Sequence, residues 1–262
     1  MDLDEFCERY DDRLRTDAYG DLDASANGLQ VGSDKSEIEH AAFAVDAAVE
    51  TAERAAEADA DVLCVHHGLF WGEFERATGR IHDRLAPFFA NDIALYTSHL
   101  PLDGHPDLGN AARICERLGL ENREAFGTLG SEHIGQCGRA EEPVAVAGLR
   151  ERLESELGHG GERTDYETPE VRVFDFGPDE IETVAVVTGG GADWLSEATA
   201  ADVDAFITGE GKQKLYHEAK ESNINVFLGG HYATETFGVR SLQDLAEEWG
   251  LETTFIDCPT GL

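Results

Sequence analysis

The chain has 262 residues, 54 of them acidic and 20 basic, for a formal net charge of −34. A hydrophobic content of 41% is enough to bury a core and excludes a disordered chain. The lack of a basic stripe argues against nucleic acid as a partner, and no apolar run reaches the roughly 18 residues that span a membrane.

In chain order, an amphipathic helix is predicted first, over Leu3–Leu14, with Leu3, Phe6, Cys7, Tyr10 and Leu14 at helical spacing. Short apolar strands and amphipathic helices then alternate. Strands are predicted at Ala41–Val45, Asp61–Val65, Ile93–Ser98, Val171–Phe174, Thr183–Val187, Val203–Thr208, Ile224–Leu228 and Thr253–Ile256. Helices are predicted at Ala47–Ala58, Ile81–Ala90, Asn110–Leu118, Val146–Leu157, Trp194–Ala201, Gln213–Glu221 and Glu235–Trp249. This alternation predicts an α/β fold with mostly parallel sheets flanked by helices. Residues 121–181 break the rhythm with glycine, proline and acid, as in Gly158-His159-Gly160-Gly161 and Thr168-Pro169. The one plausible antiparallel strand, His133–Arg139, lies there. A first domain is therefore read over 1–125 and a second domain or insertion over 126–223. The segment 224–262 is read as returning to complete the site.

The acids are spread along the chain, and lysine occurs only as Lys35, Lys212, Lys214 and Lys220. Such a surface on a normal core reads as adaptation to a very salty cytoplasm, where charge repulsion is screened beyond about 3 Å. Five scattered cysteines without a C-x-x-C pair point to a reducing, cytoplasmic setting and not to a disulfide framework. The acidic start Met1–Glu5 does not read as a secretion signal.

In open α/β sheets, ligands bind where strands end. His66-His67-Gly68 follows one predicted strand, His99 with Asp103 a second, and His231 with Glu235 a third. Four imidazoles and two carboxylates are too many for one catalytic ion with an open position. They suit two divalent ions, and mixed nitrogen and oxygen donors fit Zn, Fe, Mn, Co or Ni. His231 and Glu235, four apart, share one face of a helix. His66 and His67 are adjacent in extended chain and point apart, so each serves its own ion. His99 is either a ligand or a residue that orients one. His105 and His217 are possible neighbours of the site, whereas His40, His82 and His159 read as packed or solvated. Gly189-Gly190-Gly191 is either an anion cradle or a tight turn. Gly209-Glu210-Gly211-Lys212 lacks the spacing of a phosphate loop, and Cys64 reads as core.

These motifs resemble one family. Asn27-Gly28-Leu29-Gln30-Val31-Gly32, His66-His67-Gly68-Leu69-Phe70-Trp71, Ser98-His99 with Leu102-Asp103, and Gly109-Asn110 occur in its order. So do Thr208-Gly209-Glu210, Tyr216-His217 and Gly230-His231-Tyr232 with Thr234-Glu235. The chain is similar to the GTP cyclohydrolase I type 2, or NIF-three-like, proteins. The resemblance implies a two-domain subunit with a dinuclear metal site between its halves, held by His66, His67, Asp103, His231 and Glu235. It also implies a homohexameric ring. Glu210 departs from the family's aspartate. The activity implied is metal-dependent hydrolysis of GTP or a related purine nucleotide, a small-molecule substrate. By the ordinary chemistry of imidazole, His99 or His217 near such a site would move protons. The alternatives are another dinuclear metallohydrolase, such as a phosphoesterase or amidase, and a non-enzymatic metal-binding ring or adaptor.

Overall fold

A computed structural model describes residues 1–35, 37–72, 76–158 and 170–262. His159, with the Gly160-Gly161 and Thr168-Pro169 pairs, lies outside the described residues. The chain begins with α1 (Leu3–Leu14), β1 (Gly28–Val31), β2 (His40–Asp46), α2 (Val49–Glu57), β3 (Val62–His67), α3 (Arg80–Asn91), β4 (Ala94–Thr97) and a single-turn helix, α4 (Leu100–Asp103). It continues through α5 (Asn110–Arg117), β5 (Leu120–Leu129), β6 (Glu132–Ala145), α6 (Val146–Glu156), β7 (Arg172–Phe174), β8 (Glu180–Val186), α7 (Leu195–Ala200), β9 (Ala205–Thr208), α8 (Leu215–Ser222) and β10 (Asn225–Leu228). It closes with α9 (His231–Glu248) and β11 (Glu252–Phe255). All eight predicted strands are present to within three residues at either end.

Two compact units result, one of residues 1–102 with 238–258, the other of 103–237 with 259–262. The division thus falls at 102/103 and 237/238, not near 125 and 223. The physical reason is burial. Ala111, Ile114 and Cys115 of α5 sit in the second core, and β10 pairs with β9 and β7 in the second sheet.

The first unit holds a five-stranded sheet in the order β1-β4-β3-β2-β11, parallel throughout except for the β1–β4 pair. β2 and β3 are buried almost end to end, as expected of parallel strands covered on both faces. Ala42, Ala44, Leu63, Val65 and Leu95 of the strands pack with Ala52 and Ala55 of α2 and Leu85 and Phe88 of α3. α1 starts where the Asp2 carboxylate accepts the Glu5 N–H (2.7 Å) and stops at Arg15, whose φ of 55° is left-handed. Its buried face carries the five residues named from spacing. Tyr10 of that face donates its hydroxyl to the Leu242 carbonyl (2.7 Å) and packs on Trp249.

The second unit holds a six-stranded sheet in the order β5-β6-β8-β9-β10-β7. Only β8–β9 and β9–β10 pair in parallel; β5–β6, β6–β8 and β10–β7 are antiparallel. The predicted strand His133–Arg139 is the first half of the longer β6, whose partner β5 the sequence does not reveal. The solvent-facing run Glu121–Ala125 gives β5 no apolar alternation for a sequence reading to find. Leu149 and Leu153 of α6 join Val184, Val186, Ile207 and Phe227 of the sheet in this core. No helix among the described residues is long and apolar enough to cross a membrane.

Candidate metal centre

In the first unit, β3 ends in His66 and His67, and β4 is followed by Ser98 and His99. His66 is fully buried. Its Nδ1 donates to the Ser98 carbonyl (2.9 Å). A carbonyl only accepts, so Nδ1 carries a proton. His67 Nδ1 meets the Asp46 carboxylate (2.8 Å), and His99 Nδ1 meets that of Asp23 (2.9 Å). Three imidazoles thus use one nitrogen on an oxygen acceptor, the arrangement that fixes tautomer and ring angle in metal-ligating histidines. A ring nitrogen from each of the three lies within 4.8 Å of the others. The ring centroids of His66–His67, His66–His99 and His67–His99 are 4.7, 5.0 and 5.6 Å apart.

The supports behind this trio explain motifs that carried no chemistry of their own. Asn27 accepts the His99 N–H (2.7 Å) and donates to Asp23 (2.8 Å), which also accepts the Leu100 N–H (3.0 Å). Burial alone would raise the Asp23 carboxyl. The hydrogen bond and charge of His99, with the bonds from Asn27 and the Ser25 N–H, outweigh burial and hold it below the ordinary range. Gln30 accepts the Leu69 N–H (2.8 Å), and its side chain lies against Gly68, where a Cβ would collide with it and with Thr97. Asp23 and Asp46 were both missed from sequence. Asp46 follows Val45 directly, so a survey of every strand end would have found it. Asp23 precedes the first strand and is one acid among 54.

The second unit supplies mainly oxygen. Asp103, nearly buried, accepts from Asn110 Nδ2 (2.8 Å) and Thr188 Oγ1 (3.2 Å). His231 and Glu235 open α9 on one face, with Nε2 3.2 Å from the buried Glu235 carboxylate. The longer Glu210 reaches the other ring nitrogen, Nδ1, at 3.4 Å. Burial alone would lower the His231 pKa. The bond and charge of Glu235, then the charge and bond of Glu210, push it up to about 9. The two carboxylates therefore favour positive charge between them.

Gly189 makes this packing possible. Its φ is +54°, and a Cβ there would fall inside the Glu235 carboxylate. Its N–H donates to Thr234 Oγ1 (3.1 Å), so this position serves a tight turn against the Glu235 pair and not an anion cradle. Gly209 is also closely packed, against the Gly189 carbonyl and the His231 Cα. Lys212 and Lys214 both bond to Asp193, so the Gly209–Lys212 run makes no phosphate loop.

The other histidines separate from these sets. His217 is exposed on α8, its ring edge-on to Tyr216, and joins no ligand cluster among the described residues. His105 Nδ1 accepts the N–H groups of Asp107 and Leu108, a turn-capping role. His40 bonds to Thr254, and His82 is exposed beside Asp83. Cys64 is wholly buried, and burial pushes its thiol up, away from a nucleophile's range.

The donor chemistry fits a divalent metal: each set mixes or adjoins imidazole and carboxylate, and the three histidines of the first unit are oriented through Nδ1. The family model Duf34/NIF3 (NGG1p interacting factor 3) matches residues 1–260. A protein of the halophile Halobacterium salinarum, named GTP cyclohydrolase 1 type 2 homolog, is 51% identical over the full length of both chains. One from Archaeoglobus fulgidus with the same name is 39% identical, again over the whole of both. The crystal structure of TTHA1606 from Thermus thermophilus superposes with a TM-score of 0.88 at 36% identity, covering all of each chain. With the fold, the motifs and the whole-length matches in agreement, this chain belongs to the Duf34/NIF3 family.

Proposed function

We propose that the two sets of residues hold a pair of divalent ions and that the protein is a metal-dependent hydrolase of GTP or a related purine nucleotide. The observation that carries the proposal is the histidine trio, three imidazoles each buttressed through Nδ1 with nitrogens gathered within 4.8 Å. His66, His67, Asp103, His231 and Glu235 are the ligands of this proposal, and five such donors suit two ions. Bound ions would supply Lewis acidity, polarising the electrophile and lowering the pKa of water toward neutrality.

The chain's own residues do the rest. Ser98, Asp46 and Asp23 keep the imidazoles in one tautomer. Asp103 and Glu235 bring negative charge that balances the cations. His99, held by Asp23 and Asn27, is placed to take or give a proton, and His217 is left out of the reading. The relatives' names support GTP as the first substrate to test. A homohexameric assembly belongs to the same proposal and is checked by light scattering in high salt.

The test is direct. Protein stripped by chelator is reloaded with Zn, Fe, Mn, Co or Ni in molar salt and incubated with GTP. Two ions per chain and release of formate are expected. No formate with any of these metals sinks the cyclohydrolase reading, and turnover of phosphoesters or amides instead would replace it.

A further inference from the structure

Trp71 is 46% exposed beside the histidine trio, its ring centroid 4.9 Å from that of His99 and 6.0 Å from that of His67. It is firmly held. Its indole N–H donates to the Gly68 carbonyl (3.1 Å), and its backbone bridges to Ser25. Flanking bonds run from the Ala26 N–H to the Phe70 carbonyl (3.2 Å) and from the Gly72 N–H to the Ala24 carbonyl (2.7 Å). Among the described residues, no other exposed large apolar side chain has a ring contact with this trio.

With its one polar atom already engaged, the indole offers solvent nothing but π surface. Such a surface selects a flat, polarisable partner over a flexible aliphatic or purely ionic one. The backbone ties fix it before any ligand arrives, so stacking there costs little ordering entropy. We infer that Trp71 is the base-stacking platform of the substrate site, and that the ligand it takes is a planar heterocycle, a purine base, laid beside the His67–His99 edge of the trio. The inference rests on the hydrolase reading only for the identity of the substrate, since stacking requires no turnover.

The experiment measures binding apart from chemistry. Metal-loaded wild type, W71F and W71L are titrated with GTP and with guanosine. Tryptophan emission and equilibrium dialysis are followed, with metal content and circular dichroism as controls. Trp194 donates to the Thr128 carbonyl and Trp249 packs on Phe6 and Tyr10, so W71F retains both as a constant background. Saturable quenching by both probes is expected in wild type and not in W71F. Dialysis should show binding at least about fivefold weaker in W71L, the low end for loss of one base–aromatic stack, with W71F between the two. Equal affinity in wild type and W71L at equal metal content overturns the inference, even if formate is released. Purine binding that depends on Trp71 without formate release upholds it while the cyclohydrolase reading falls. A wild type that binds neither probe overturns both.

Discussion

The two units share a framework and differ in what they hang on it. Each has three consecutive parallel strands, β2-β3-β4 in the first and β8-β9-β10 in the second. The residue ahead of the middle strand is aspartate in both. Asp61 donates its N–H to the His40 carbonyl (2.8 Å), accepts from the Ala94 N–H (2.9 Å), and takes the N–H groups of Glu39 and His40 on its carboxylate. Asp204 does the same with the Thr183 carbonyl (3.0 Å), the Asn225 N–H (3.2 Å) and the N–H groups of Glu182 and Thr183. Two residues earlier stand Asp59 and Asp202, both left-handed, with φ of 56° and 54°. After the third strand the chain reads His99-x3-Asp103 in one case, crossing the 102/103 division, and His231-x3-Glu235 in the other. The middle strands end differently. The first ends in His66-His67-Gly68, the second in Thr208-Gly209-Glu210. One scaffold thus carries nitrogen donors set by oxygen acceptors, and the other carries buried carboxylates packed against glycine.

If that division of labour is right, removing nitrogen should hurt metal binding most. His66→Ala should weaken metal affinity beyond the roughly hundredfold that a supporting residue commands. Metal analysis with a competing chelator checks this. Retention of two ions per chain would break the comparison at its first step.

Next come the glycines. Gly189→Ala places a methyl in the Glu235 carboxylate at a left-handed residue, and should cost about 2–4 kcal/mol and roughly 5–15 °C of Tm. Gly68→Ala meets the end of the Gln30 side chain, which can swing away, and Thr97. It should cost less. The reverse order of melting temperatures would mean that the Glu235 carboxylate, not the Gln30 side chain, gives way. Asp46→Asn comes third. It keeps an acceptor for His67 Nδ1 but removes the charge, so metal affinity should drop roughly tenfold, with Asp46→Ala lower still. Equal affinity of Asp46→Asn and wild type would show that hydrogen bonding alone sets this imidazole.

Legibility in the sequence followed the same division. His66, His67, His99, Asp103, His231 and Glu235 could be found because a parallel strand is a readable apolar run, and each of these residues sits at or just beyond the end of one. The supports were harder to read. In a chain with 54 acids Asp23 carries no signal as a carboxylate, Asp46 carries only its place after a strand, and the partners of both are fixed only by folding. The second unit's antiparallel half was obscured for a related reason: Glu121–Ala125 of β5 faces solvent. The break in composition after residue 120 then passed for a domain boundary, although the apolar face of α5 already belongs to the second core.

The smallest effect tests the shared framework itself. Asp61 is partly buried, which alone would raise its carboxyl. The bond from Lys35 Nζ (2.6 Å), those from the Glu39 and His40 N–H groups, and the Lys35 charge outweigh burial and lower it. A carboxyl with a lowered folded pKa contributes stability that is fully present above the ordinary aspartate value, about 3.9, and lost as pH falls through its own lower value. Asp61→Asn should therefore be less stable than wild type by about 1–2 kcal/mol at neutral pH, the worth of a charged hydrogen-bonded group. The gap should hold steady down to about pH 5 and then close as wild type is protonated. Urea midpoints at constant high salt from about pH 7 to about pH 2.5 read this as a difference, which cancels the general change in repulsion as a −34 chain is neutralised. A gap that stayed constant into acid would mean the clamp works by shape and not by charge. Asp204, whose carboxylate takes its bonds from Glu182 and Thr183, would then be the better place to ask what the duplicated aspartate does.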